Sequence, residues 1–92
     1  MIQSFADDDT RAVFLTGTSR RWANIARVAA RRLEALDFAS AIEDLRNPPG
    51  NRLEKLQGDR EGSWSIRINN QYRVCFRWDG ADAWDVEIVD YH

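Results

Sequence analysis

The stretch Trp64-Ser65-Ile66-Arg67-Ile68-Asn69-Asn70-Gln71-Tyr72-Arg73-Val74-Cys75-Phe76-Arg77-Trp78 decides the fold. Trp64, Ile66 and Ile68 alternate with Ser63, Ser65 and Arg67, and Tyr72, Val74, Phe76 and Trp78 alternate with Arg73, Cys75 and Arg77. A period of two sends successive side chains to opposite faces of a strand, so each run reads as a half-buried strand. Asn tolerates positive φ, and Asn69-Asn70 between the runs predicts a tight hairpin turn. Arg67 and Arg73 flank that turn and should lie close across it. Downstream, Asp79-Gly80 marks a second turn, and Trp84, Val86 and Ile88 alternate with Asp85, Glu87 and Val89. Upstream, Arg52 to Gln57 predicts the first strand of the same meander, with weaker alternation.

Before Asn47-Pro48-Pro49-Gly50 the period is helical. Ile2 to Phe5 predicts a short strand. Asp7 or Asp8 can cap a first helix ending near Thr16, with Gly17 just beyond it. Ser19 opens a second helix, on which Trp22, Ile25, Ala29, Leu33 and Leu36 recur at three and four and share one face. Arg20, Arg27, Arg31 and Glu34 fall mostly on the other, which reads as a solvated face or as a surface for a macromolecular partner. Ser40 with Glu43 has the form of a capping box on a short third helix. The chain therefore reads as one α+β domain over residues 1–92, ordered β-α-α-(short α)-β-β-β-β. An antiparallel sheet carries helices on one face and leaves the other polar and open. That open face should hold Ser65, Arg67, Arg73, Arg77, Asp85, Glu87 and Tyr91, with Trp22, Trp64, Trp78 and Trp84 in the core.

Composition narrows the classes. With 92 residues, 43% of them hydrophobic, and four Trp and four Phe, the chain has the apolar mass of a folded globule. A lone cysteine, Cys75, rules out an intramolecular disulfide and suits a reducing, cytoplasmic setting. One His and one Cys leave no zinc site of the usual ligand types, and no metal or other cofactor is expected. No apolar stretch approaches the ~20 residues that span a bilayer, and Met1 to Asp9 lacks a signal peptide's basic start and apolar region. Net charge is −2 and the sequence pI is about 5.3, which argues against general affinity for nucleic acid. Net charge can still conceal a local basic patch.

Two groups of residues suggest chemistry. Asp90-Tyr91-His92 places a carboxylate, a phenol and the only imidazole of the chain after a strand. Histidine is the side chain whose ordinary titration lies near neutral pH, so this tail reads as an acid/base cluster or as a polar end leaving the sheet. Arg67 and Arg73 suit a phosphate cradle, because guanidinium forks match phosphate oxygens. The alternative is a solvated face with Arg73 and Arg77 paired to Asp85 and Glu87 across strands.

Several stretches together resemble the HigB-type killer toxins of the RelE/ParE superfamily. They are Pro49-Gly50-Asn51-Arg52-Leu53-Glu54, Leu56, Gly58-Asp59-Arg60-Glu61-Gly62, Trp64-Ser65-Ile66-Arg67, Gln71 to Trp78, and Val86-Glu87-Ile88-Val89-Asp90-Tyr91-His92. Met1 to Phe5 and Arg21-Trp22 fit too, so the resemblance covers essentially the whole chain. It implies a RelE-like toxin of a type II toxin-antitoxin system that cleaves mRNA in the ribosomal A site and inhibits translation. It further implies a helix-turn-helix, HigA-like antitoxin whose complex with the toxin binds operator DNA.

Metal-independent RNA cleavage by the 2′-OH needs a base, cations for the charge building on phosphorus, and an acid for the leaving 5′-oxygen. The resemblance with this chemistry points to Arg73, Asp90, Tyr91, His92 and Glu54 as catalytic candidates. Arg67, Arg52, Lys55 and Arg60 are candidates for RNA or ribosome contact. Some relatives carry His and Lys in the strand before the Gly58 loop, where this chain has Glu54 and Gln57. That difference predicts a slower nuclease. The competing functions are a ParE-like binder of DNA gyrase, and a catalytically weak toxin acting mainly as antitoxin partner and co-repressor.

Overall fold

The computed structural model describes residues 1–60 and 62–91, the side chain of Arg60 excepted. Helix α1 spans Asp8–Thr16 and α2 spans Ala26–Phe38. The sheet consists of β1 (Glu54–Lys55), β2 (Ser63–Arg67), β3 (Tyr72–Asp79) and β4 (Asp82–Asp90). The strands are antiparallel in the order β1-β2-β3-β4. Both helices pack on one sheet face, as the alternation of the strands requires. Val13, Ala29, Leu33 and Leu36 meet Ile66, Ile68, Val74, Phe76, Ala83, Val86 and Ile88 in one core.

Helix α1 begins and ends where its sequence places it. The Asp7 carboxylate accepts from the Thr10 amide at 2.7 Å, and Gly17, at φ 72°, closes the helix with its N–H on the Val13 carbonyl. Helix α2 starts later than expected. Ser19 Oγ accepts from the Trp22 amide at 3.0 Å and organises a turn, and the helix proper opens only at Ala26. Trp22 and Ile25 are buried all the same, because the turn delivers them to the same core. The short third helix is a 3₁₀ turn, Ile42–Arg46. Its capping carboxylate is Asp44, which accepts from the Ser40 and Ala41 amides, rather than Glu43. Glu43 instead pairs with Arg46, and that hydrogen bond holds its carboxyl below the usual carboxylate range.

Three further expectations are revised. Ile2–Phe5 forms two isolated parallel bridges to β4, Ile2 with Ala83 and Phe5 with Val86, in place of a full strand. The segment nonetheless covers the β4 edge, with Gln3 N–H donating to Ala83 O at 2.8 Å and Ala6 N–H to Val86 O at 2.9 Å. Strand β1 is two residues long, since the chain leaves the 3₁₀ turn Pro49–Asn51 through Arg52 at φ 44° and can pair only from Glu54. Finally, β4 carries a bulge. Cys75 pairs with Glu87 and Arg77 with Trp84, so Phe76 faces both Asp85 and Val86, and Asp85 sits at φ 53°. The extra residue reverses the parity beyond it. Ala83, not Trp84, enters the core, and Trp84 lies on the other face beneath Arg77, whose Cζ is 5.6 Å from the ring centroid.

A candidate ribonuclease cleft

The face away from the helices is polar, but its centre is not open. Ser65 is fully buried, Cys75 is 2% exposed and Arg73 is 8% exposed. The reason is local. Segment 52–54 and Tyr91 close over the middle of β2 and β3, and Arg73 is the group they close on. Its Nε donates to Ser65 Oγ at 2.8 Å and its Nη2 to the Arg52 carbonyl. Its Nη1 lies 3.8 Å from Glu54 Oε1, and its Cζ stands 5.7 Å from the Tyr91 ring centroid. A buried charge must be paired and hydrogen-bonded, and each of these contacts serves that need. Of the expected cross-strand ion pairs, Arg77 pairs with Asp85, at 3.6 Å.

Around Arg73 lies a cleft of about 370 Å³ lined by Arg52, Glu54, Arg67, Asn69, Asn70, Arg73 and Tyr91. Three guanidinium groups face one carboxylate there, so the cleft is locally cationic in an acidic protein. Arg67 is directly opposite Arg73 in the β2–β3 register, as the hairpin pattern predicts. It is held from two sides. Arg32 on α2 donates from Nε to the Arg67 carbonyl at 2.9 Å, and Arg67 Nη2 donates to Asn70 Oδ1. The hairpin turn itself is longer than two residues. Asn69 Oδ1 accepts from the Gln71 and Tyr72 amides, both at 2.8 Å, in a turn built by its side chain.

That turn also ties down the end of β4. Gln71 O accepts from the Tyr91 amide at 2.6 Å, and Gln71 Nε2 donates to Asp90 Oδ2 at 3.1 Å. Tyr91 consequently lies against Arg73 on the cleft, while Asp90 sits at the rim beside Gln71. His92 lies outside the described residues. Of the other expected contacts, Arg52 lines the cleft, whereas Lys55 points to Trp64, its Nζ 5.8 Å from the ring centroid. The backbone of Arg60 belongs to a 3₁₀ turn, Gly58–Arg60, and its side chain lies outside the described residues. Asn69 and Asn70 read in the sequence only as turn formers, Ser65 carried no signal beyond its face, and Arg32 carried none. Their roles depend on what the fold brings beside them. Among the described residues no group of His, Cys, Asp and Glu is placed to hold a metal ion, and no helix is long and apolar enough to cross a membrane.

Known proteins share this sequence and this architecture. The family described as "RelE-like toxin of type II toxin-antitoxin system HigB" matches residues 3–92. Toxin HigB-1 of Vibrio cholerae is 43% identical over 81 residues, covering 87% of this chain and 79% of that protein. A protein named Endoribonuclease HigB, from Proteus vulgaris, is 37% identical over 93 residues and matches along the whole of both chains. A solved YoeB/ParE toxin from Agrobacterium tumefaciens shares the fold with a TM-score of 0.54 at 21% identity, over 99% of this chain and 96% of that one. With a family match across nearly its full length and relatives well above 30% identity, this chain belongs to the HigB-like toxins, RelE-like toxins of type II toxin-antitoxin systems.

Proposed function

We propose that this toxin is an endoribonuclease that cleaves mRNA on the ribosome, using the Arg73 cleft and the tail beside it. Family membership and the full-length relative named as an endoribonuclease support the activity class. The observation that carries the site is the position of Arg73, buried at the cleft floor between the Glu54 carboxylate and the Tyr91 ring. A preorganised guanidinium stabilises charge developing on phosphorus far better than a solvated one, because it need not reorganise during the reaction.

The chemistry follows the cleft. The 2′-oxygen attacks the adjacent phosphorus and loses its proton to a base, and the 5′-oxygen leaves with a proton from an acid. Arg73 Nη1 carries the Glu54 carboxylate at a loose 3.8 Å. A phosphate arriving at that nitrogen displaces Glu54, which is then free to accept the 2′-OH proton. Arg67 and Arg52 take further phosphate oxygens. Tyr91 offers a ring for base stacking. His92 is the acid for the 5′-oxygen, with Asp90 orienting the tail. Lys55 lies outside the cleft proper, and it and Arg60 serve docking. The expected setting is the cytoplasm, with a HigA-like helix-turn-helix antitoxin that carries the complex to operator DNA. A gyrase-binding role would leave the buried Arg73 and its exposed partner Glu54 without a task.

The test is mRNA cleavage on programmed ribosomes, comparing wild type with His92→Ala and including an RNA-only control. Ribosome-dependent cleavage that falls at least about tenfold on losing His92 is the expected outcome. Absence of cleavage by folded wild-type protein would sink the reading and leave antitoxin binding as the main activity.

A further inference from the structure

Among the described residues, Arg52 and Asp85 are the non-glycine residues with positive φ. Asp85 serves the β4 bulge. Arg52, at φ 44° and ψ 58°, stands at the wall of the cleft. An L-residue takes this left-handed conformation at a steric cost, and arginine lacks the short polar side chain that offsets it in Asn or Asp. Such a conformation persists where the surroundings hold it, and it gathers at functional sites. Its effect here is specific. The Arg52 amide donates to the Pro49 carbonyl at 3.1 Å, and the Arg52 carbonyl turns onto Nη2 of the buried Arg73.

The residue that holds this turn is Asn51, which is 1% exposed. Its Nδ2 donates to the carbonyls of Leu45 and Asn47, both at 3.2 Å, and its amide donates to the Pro48 carbonyl at 3.0 Å. Leu45 belongs to the core, so one side-chain amide fastens the loop to the core just before the chain enters the cleft. Asn51 Oδ1 is buried without a hydrogen-bond partner among the described residues. Burying an unpaired acceptor is unfavourable, and the two bonds from Nδ2 are what Asn51 supplies in return. After Arg52 the backbone is next fixed at Glu54, which pairs with Ser65 in the two-residue strand β1.

We infer that Asn51 is a positioning residue of the nuclease centre, which fixes the left-handed turn at Arg52 and thereby the plane of the Arg73 guanidinium. The inference rests on the role proposed for Arg73. Ser65 Oγ takes Nε of Arg73 and the Arg52 carbonyl takes Nη2. A planar fork held at one nitrogen can swing about that contact, whereas one held at two cannot. Nη1 is then left aimed at Glu54 and the cleft. Because Glu54 has its own pairing in β1, the path from Asn51 to the cleft runs through Arg52.

Proton exchange of the Arg73 guanidinium, followed by ¹⁵N NMR of the full chain, tests the placement without any cleavage. Asn51→Ala should keep the wild-type amide spectrum of β2–β4 and speed exchange of the Arg73 N–H groups by about tenfold or more. Arg52→Gly adopts the same φ freely and retains the carbonyl, so those protons should remain slow. Single-turnover cleavage on ribosomes should fall by about tenfold in Asn51→Ala, with the half-saturating ribosome concentration unchanged. Added to Arg73→Ala, the same substitution should cost less than about threefold, because the group it acts through is gone. Asn51→Ser, which keeps one donor, should lie between wild type and Asn51→Ala in both measurements.

Arg73 exchange within about twofold of wild type in folded Asn51→Ala would overturn the proposal. So would a full tenfold loss of rate in the Arg73→Ala background, or failure of both Asn51→Ala and Asn51→Ser to fold, which would make Asn51 a residue of the fold alone. Wild-type protein that cleaves nothing while Asn51→Ala still frees Arg73 would remove the nuclease reading, and with it the catalytic meaning of the turn, but not the placement.

Discussion

The guanidinium of Arg73 is anchored by the hydroxyl of Ser65, Nε to Oγ at 2.8 Å, at a position where both side chains are almost wholly removed from water. One edge of the arginine is thereby spent on the protein, and its orientation is settled before any ligand arrives. Such fixing is what distinguishes a charge that stabilises a transition state from one that merely attracts a phosphate.

Arg73→Ala should therefore fail twice. Cleavage should fall by about 10²–10³, as for loss of one preorganised donor. Stability should drop by about 1–3 kcal/mol, because Ser65 Oγ and the Arg52 carbonyl lose their buried donor. Ser65→Ala keeps the charge and removes only the anchor, so its rate should fall by roughly tenfold with a smaller loss of stability. Cleavage rates and urea denaturation on the same two variants check both statements.

Glu54→Gln separates a base from a screen. If Glu54 takes the 2′-OH proton, the rate should drop by about 10²–10⁴ while RNA binding tightens, since Arg73 Nη1 loses its carboxylate. An unchanged or faster rate in single-turnover cleavage would show that Glu54 only screens the cleft.

The β4 bulge should be sensitive to backbone rather than to packing. Asp85 holds φ 53° at an exposed position, where a β-branched residue is strained. Asp85→Val should cost about 1–2 kcal/mol. Asp85→Gly should keep the bulge and lose only the surface contacts with Arg77 and Ser4. Thermal melts of the two variants should differ in that order. A stable Asp85→Val protein would mean that the bulge is not required.

The Glu43–Arg46 pair has a defined pH dependence. Hydrogen bonding to Arg46 depresses the Glu43 carboxyl in the folded state, so its contribution is present above the unfolded carboxylate range and disappears as pH falls through the folded value. Both groups are fully exposed, and the contribution should be small. Melting curves of wild type and Glu43→Gln should differ slightly at neutral pH and converge in acid.

Local pattern carried most of the architecture. The alternation through residues 64–78 determined two paired strands and the meeting of Arg67 with Arg73. The Asp7 and Gly17 signals determined both ends of α1. These are short-range effects, decided by side-chain period and by which residues tolerate a given φ. Of the terminal cluster, Tyr91 reaches the cleft, and His92 lies outside the described residues.

What only tertiary structure decided was the set of contacts between distant segments. Strict parity assigns Trp84 to the core, and one extra residue at Asp85 moves it out, because period two has no memory of a bulge. Ser19 offers a cap, yet α2 waits until Ala26, since Trp22 and Ile25 reach the core from a turn. Arg73 reads as a solvent-facing strand residue until Arg52, Glu54 and Tyr91 fold over it from 21, 19 and 18 positions away. Burial of a charge depends on everything that packs around it, and no window of local sequence contains that sum.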